Sequence, residues 1–345
     1  MKSAKLFFSI LLFTALGSCL LKSNHVNKPV PIIFDSDIGP DYDDVGAITI
    51  LHAMQQKGEA KVLATLASNK YEGIAAVLDV FNTYWGEPDI PIGVPKGWAV
   101  DMSDPQHWSD TILAKYPHQI DSNDQAPDAV EVYRMVLAAQ PDHSVTIVTV
   151  GFLTNMGNLL LSKGDSYSPL TGIELVKKKV KLLVSMAGAF PSGKEFNMDH
   201  DPKASKEVFE NWPTPVIFSG FEIGEHIKTG LPLIHNDSIH RDPAKDVFRI
   251  NIPLNPMDSA GRMSWDEATT LVAVRGYKPF FTLHPGRVIV NEDGSNSWND
   301  NGKGQYYLVQ KGSPEKVAEV INQLMMETPG SVGSPETSGA GAAGR

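Results

Sequence analysis

"IIFDSDIGPDYDDVGAI", residues 32–48, sets Asp35, Asp37, Asp41, Asp43 and Asp44 within ten positions, directly behind an apolar run. Like charges crowded at a strand end repel one another, so the stretch demands a compensating partner. A cation is the obvious one. The apolar run reads as a strand, Gly39 and Pro40 as a turn, and Asp43 with Asp44 as the opening of a helix.

The same alternation continues outward. "PVPIIFDSD", "AKVLATLAS", "SVTIVTV", "VKLLVSMAG", "TPVIFSG" and "GRVIV" read as mostly buried strands, because both faces are apolar. Between them, 44–57, 72–85 and 128–139 are amphipathic and predict helices. The pattern predicts an α/β fold: an open, mainly parallel, Rossmann-like sheet with helices on both faces. Ligands of such sheets bind beyond the carboxyl ends of the strands.

Composition frames that expectation. Residues 1–18 carry Lys2 and Lys5, an apolar stretch from Leu6 to Leu16, then Gly17 and Ser18, which reads as a signal peptide too short to span a bilayer as a helix. "LGSC" resembles the lipobox of bacterial lipoproteins. It predicts acylation of Cys19, a lipid-anchored linker over 19–28, and residence on the periplasmic or cell-surface side of a bacterial membrane. Cys19 is the sole cysteine, so no disulfide within the chain can form. Residues 330–345 are small, polar and without periodicity, and read as a disordered tail. Residues 29–329 then form one domain, with no linker or repeat dividing them. A net charge of -10, with no basic cluster beyond Lys177 to Lys181, makes nucleic acid polymers poor partners and leaves the lipid anchor as the membrane contact.

Four strand ends carry unusual polar groups. These are the Asp cluster, Ser68 with Asn69, the Gly151 turn that frees the Val150 carbonyl, and "EFNMDHDP" with Glu195, Asn197 and Asp199. Carboxylates and a carbonyl suit a hard divalent cation, and Ca²⁺ tolerates such irregular coordination. Helix capping accounts for one or two of the acids, not for all five. Gly39 and Gly46 fall where an EF-hand loop needs ligands, and the 10 histidines show no zinc-binding spacing.

"DSDIGPDYDDVGAI" resembles the N-terminal signature of the nucleoside hydrolase family. The likeness continues in order through Ser68 and Asn69, "VTVGFLTN" (148–155), "EFN" (195–197) and "SWDEAT" (264–269). It implies a nucleoside hydrolase fold holding one Ca²⁺ and cleaving the N-glycosidic bond of a small-molecule riboside to base and ribose. By motif position, Asp37, Asp44, the Val150 carbonyl and Asp266 would ligate the metal. Asp43, Asn69, Glu195 and Asn197 would contact ribose, and Asp37 would be the general base. Asp35 and Asp41 would support them, though the lengthened loop leaves the choice among Asp41, Asp43 and Asp44 open. The resemblance also implies a homo-oligomer, but no stretch identifies an interface.

Two departures stand out. Where the family often places an Asn for the 5'-hydroxyl, the chain offers Lys194. Many members have a His before the last metal Asp to protonate the leaving base; here Trp265 stands there, either in the core or stacked on the base, and we read it as a pocket residue. Glu222, Glu225 and His226, in the 219–230 loop, are replacement acids or specificity contacts if that loop is not merely solvated. Two further readings stay open: a ribosyl-binding lipoprotein without catalysis, and a haloacid dehalogenase-like phosphohydrolase, whose Thr or Val after the DxD pair is absent.

Overall fold

Along strand β1 (Val30–Ser36), Ile32 and Phe34 face one hydrophobic layer and Ile33 the opposite one. Both faces are therefore covered, and the run lacks the polar alternation of a half-solvated strand. A computed structural model describes residues 28–330. The segments expected to be a signal peptide, a lipid-anchored linker from Cys19 and, from residue 331, a tail lie outside the described residues.

The remaining strands are β2 (Ala60–Ala67), β3 (Ile92–Gly93), β4 (Val145–Thr149), β5 (Val180–Met186), β6 (Ser192–Lys194), β7 (Val216–Ser219), β8 (Lys228–Thr229), β9 (Arg262–Met263), β10 (Phe281–Val290), β11 (Ser295–Asn299) and β12 (Gln305–Gln310). The central sheet runs β3-β2-β1-β4-β5-β7-β12-β10-β11-β6. From β3 to β12 neighbours are parallel, whereas β10, β11 and β6 extend the sheet antiparallel. Helices Asp43–Gln56, Ile74–Tyr84, Trp265–Arg275 and Pro314–Met325 cover one face. Helices Ala129–Ala139, Thr154–Leu161, Gly172–Lys179 and Pro202–Asn211 cover the other. The expected open, mainly parallel α/β sheet is what the chain forms.

One strand departs from expectation. "GRVIV" is the end of antiparallel β10 and not a doubly buried strand. Val288 and Val290 point into the core while Ile289 between them is 47% exposed. A five-residue apolar run cannot distinguish one covered face from two. The parallel neighbour of β7 is instead "QYYLVQ", β12, whose polar ends conceal it.

Candidate active site

Strand β1 delivers Asp35 and, just past its end, Asp37 to the carboxyl edge of the sheet, where two helices open. Helix Asp43–Gln56 has Asp43 and Asp44 in its first turn, and helix Trp265–Arg275 has Asp266 and Glu267. Neither N-cap residue, Tyr42 or Ser264, caps with its own side chain. Asp43 supplies the cap across the interface, its Oδ2 accepting from the backbone N–H of Trp265 at 3.2 Å and of Asp266 at 3.4 Å. Capping thus explains one acid of the cluster.

A cavity of about 270 Å³ lies on this edge, and Asp37, Asp43, Asp44, Val150, Glu195, Asn197, Trp265 and Asp266 all line it. Motifs spread over most of the chain converge on one site. Gly151 makes the convergence sterically feasible: a Cβ there would sit 2.3 Å from the Asp37 nitrogen and 2.7 Å from its Oδ1. Below the floor, Asp35 accepts from the Tyr133 hydroxyl at 2.8 Å and from Asn155 Nδ2 at 3.1 Å. Burial nevertheless raises its carboxyl to about 7. It is a support and does not line the cavity.

The acids divide into two groups. Arg262, whose side chain is only 7% exposed, donates through Nη2 to Asp41 and to Asp43 Oδ1 (2.8 Å), and lies 3.9 Å from Asp258. It also sits over the rings of Tyr42 (4.8 Å) and Trp265 (5.3 Å). Asp41, Asp43 and Asp258 therefore have an internal cation. Asp37, Asp44 and Asp266 do not.

Asp44 Oδ1 accepts from Ser36 Oγ at 2.5 Å, but its Oδ2 is buried without a partner. Among the described residues no Lys, Arg or hydroxyl hydrogen-bonds to the Asp37 or Asp266 carboxylate. Burial and then mutual repulsion push all three carboxyls well above the usual range. Asp43, with the guanidinium beside it, reaches only about 6. Carboxylate oxygens of Asp43, Asp44 and Asp266 lie within 4.8 Å of one another. Because Arg262 and two N–H groups occupy Asp43, the uncompensated set is Asp44, Asp266 and Asp37, beside the Val150 carbonyl. An oxygen-only set with an orphaned buried carboxylate fits a hard divalent cation, since a buried unpaired charge costs several kcal/mol.

The opposite wall is built by "EFN". Glu195 accepts from the N–H of Gly188 (3.0 Å), Asn197 (2.7 Å) and Met198 (3.3 Å), which opposes the burial that raises it to about 7. Asn197 Nδ2 donates to the carbonyls of Val150 (3.2 Å) and Met186 (3.1 Å). Trp265 packs against the hydrophobic core and also lines the cavity: its indole N–H donates to the Phe221 carbonyl at 2.7 Å, and the two rings lie 5.2 Å apart. Gly224 lets it lie flat, as a Cβ there would be 2.3 Å from the indole.

Several expected contacts are not brought to the cavity. Asn69 is fully buried and spends its side chain on the backbone, donating to Met102 O at 2.6 Å and accepting from Met102 N at 3.0 Å. Lys194 is half exposed and pairs with Asp199 at 2.7 Å, so both of these rim candidates turn outward. Glu222 accepts from the Phe190 N–H at 3.0 Å, and His226 is largely exposed near Glu225. Arg262, Phe221 and Met257 line the cavity without having been singled out from the sequence. The usable signal for Arg262 was charge balance, a lone basic residue four positions before Asp266.

Comparison with known proteins gives this geometry its context. The family model for inosine-uridine preferring nucleoside hydrolases matches residues 32–321. Among solved structures, the purine-preferring ribonucleoside hydrolase from Gardnerella vaginalis is similar with a TM-score of 0.67 at 16% identity, covering 86% of this chain and 98% of that one. The inosine-uridine preferring nucleoside hydrolase from Bacillus anthracis gives 0.65 at 15%, covering 86% and 99%. The type III effector XopQ, solved with adenosine diphosphate ribose, gives 0.63 at 15%, covering 87% and 93%. No curated protein matches the chain. The family so matched consists of hydrolases acting on N-glycosyl bonds. The chain belongs to the inosine-uridine preferring nucleoside hydrolase family.

Proposed function

We propose that the protein hydrolyses the N-glycosidic bond of ribonucleosides or related ribosides with the help of one Ca²⁺ held by Asp37, Asp44, Asp266 and the Val150 carbonyl. The observation that carries this reading is the unpartnered Asp44 Oδ2 beside Asp37 and Asp266, in a cavity that Arg262 neutralises only on its other side. Related ribosides are included because XopQ, of the same fold, was solved with one.

A bound divalent cation would lower the pKa of a water and orient the ribose diol. The chain's own residues do the rest. Asp37, with no competing donor, accepts the water's proton as the water oxygen bonds to the anomeric carbon. Asp43 is fixed by Arg262 and two N–H groups, and Glu195 by three, so both meet the ribose hydroxyls in preset positions. Positive charge growing on the ribose as the bond breaks is stabilised by the surrounding carboxylates. Trp265 and Phe221 offer an aromatic wall for the base.

Family membership favours N-glycosyl hydrolysis over the phosphohydrolase alternative. The lipid anchor on Cys19 and the extracytoplasmic location belong to the same proposal and rest on the "LGSC" junction. Incubating the processed protein with a riboside panel, with and without a chelator, and reading free base and reducing sugar tests the whole. Metal-dependent release of both is expected. Binding without turnover would favour a ribosyl-binding lipoprotein.

A further inference from the structure

The cavity lacks the side chains that most readily protonate a leaving base. Among the described residues the lining contains no His, Lys, Tyr or Cys. Glu222 accepts the Phe190 N–H through Oε2 and lies outside the cavity lining, and His226 faces solvent outside it, so neither of these expected replacement acids is at the base side of the cavity. Glu195, although burial raises it to about 7, spends both carboxylate oxygens on three backbone N–H donors and so has no free oxygen turned to the base.

One electrophile does line the cavity. A guanidinium has five N–H donors. Those on Nε and Nη2 of Arg262 go to Asp41 and Asp43. Among the described residues Nη1 makes no hydrogen bond, and it lies 3.9 Å from Asp258 Oδ2. The group is fixed by its carboxylates and by the faces of Tyr42 and Trp265, on the side of the cavity where Trp265 forms the aromatic wall.

We infer that Arg262 is a catalytic residue that receives the negative charge of the departing base through its free Nη1 donors. The inference rests on the N-ribosyl hydrolase reading. When the bond between the anomeric carbon and the base nitrogen breaks, its electron pair stays on the nitrogen. Water oxygen bonds to the carbon and its proton passes to Asp37. The base departs as an anion hydrogen-bonded to Nη1 and takes a proton from solvent after release. Arg262 keeps all its protons, as a group ionised at every ordinary pH must. Its role is that of an oxyanion-type donor, fixed in advance where charge develops.

The test compares two substrates and two products. Arg262→Gln and Arg262→Lys are assayed on inosine and on p-nitrophenyl riboside, whose leaving group needs no assistance. Loss of one such donor costs on the order of 10²-fold, so Arg262→Gln should lower kcat/KM for inosine by about that much more than for the nitrophenyl compound, the loss common to both substrates being the cost of freeing Asp43. Equal losses on both would overturn the inference and leave Arg262 as a positioning residue for Asp43. Wild-type binding is also titrated by tryptophan fluorescence, at a pH where xanthine is an anion and hypoxanthine is neutral. Arg262 should make xanthine the tighter ligand, and the substitutions should remove that preference. A wild type indifferent to the two bases would overturn the inference even if neither variant folds. A wild type that cleaves no riboside would sink the hydrolase reading and the catalytic role of Arg262 with it, and the base titration would then show only whether Arg262 binds an anionic base.

Discussion

Two halves of one acidic cavity solve the same problem differently. On one side Asp41, Asp43 and Asp258 share Arg262, a cation the chain provides. On the other, Asp37, Asp44 and Asp266 face one another with no basic residue bonded to any of them, and Asp44 Oδ2 is orphaned. Had the cluster existed only to cap helices, an arginine for each half would have sufficed. The chain neutralises one half internally and leaves the other to its own repulsion, which is why we propose that the second half takes an ion from solution.

The comparison breaks first at Asp37. Asp37→Ala removes both a cation ligand and the proton acceptor, and general-base loss alone is worth about 10²–10⁴-fold. Turnover should fall by at least that range, with weakened Ca²⁺ binding by calorimetry. Wild-type rates in this variant would show that the proton goes elsewhere.

Removing the ion comes next. Ligand binding at about 100 times Kd stabilises a fold by about 2.7 kcal/mol, so a chelator should lower Tm by several degrees, and added Ca²⁺ should restore it. An unchanged melting curve would mean that the unpaired half tolerates its repulsion by holding protons.

Trp265→Ala should have a more selective effect. Base–aromatic stacking is worth ~1–3 kcal/mol, and a contact made only by a base affects only substrates that have one. Turnover of inosine should fall about tenfold or more, while an activated riboside without a base should be little affected. Equal losses would give the indole a general shaping role.

Lys194→Ala should do least. Its ammonium pairs with Asp199 on the half-exposed rim, and such pairs contribute ~0–1 kcal/mol. KM for ribosides should stay within about twofold. A large rise would return Lys194 to the 5'-hydroxyl side of the ribose.

What the sequence disclosed follows the range of the interactions involved. The parallel strands were legible because burial on both faces leaves long β-branched runs such as Ile32 to Phe34. The acid loop was legible because its charges are adjacent in the chain. The antiparallel extension was not, since Ile289 looks like core until its exposed face is seen. Arg262 was not, because Asp41 and Asp43, two of the acids it neutralises, lie about 220 residues away, and its place four residues before Asp266 was the sole local hint. Asn69 misled for the opposite reason. Its motif position suits a ligand contact, but the backbone of Met102 takes both ends of the amide.

The central claim is that the unpaired half, not the Arg262 half, holds the cation. Calorimetric titration of Ca²⁺ into wild type, Asp44→Asn and Asp43→Asn tests it directly, without needing substrate. Asp44→Asn should abolish measurable binding, because it removes the orphaned carboxylate that most needs the ion. Asp43→Asn should keep binding within about tenfold, a 1.4 kcal/mol effect of the kind expected of a neighbouring charge. The reverse order, with Asp43→Asn losing Ca²⁺ and Asp44→Asn retaining it, would contradict the account.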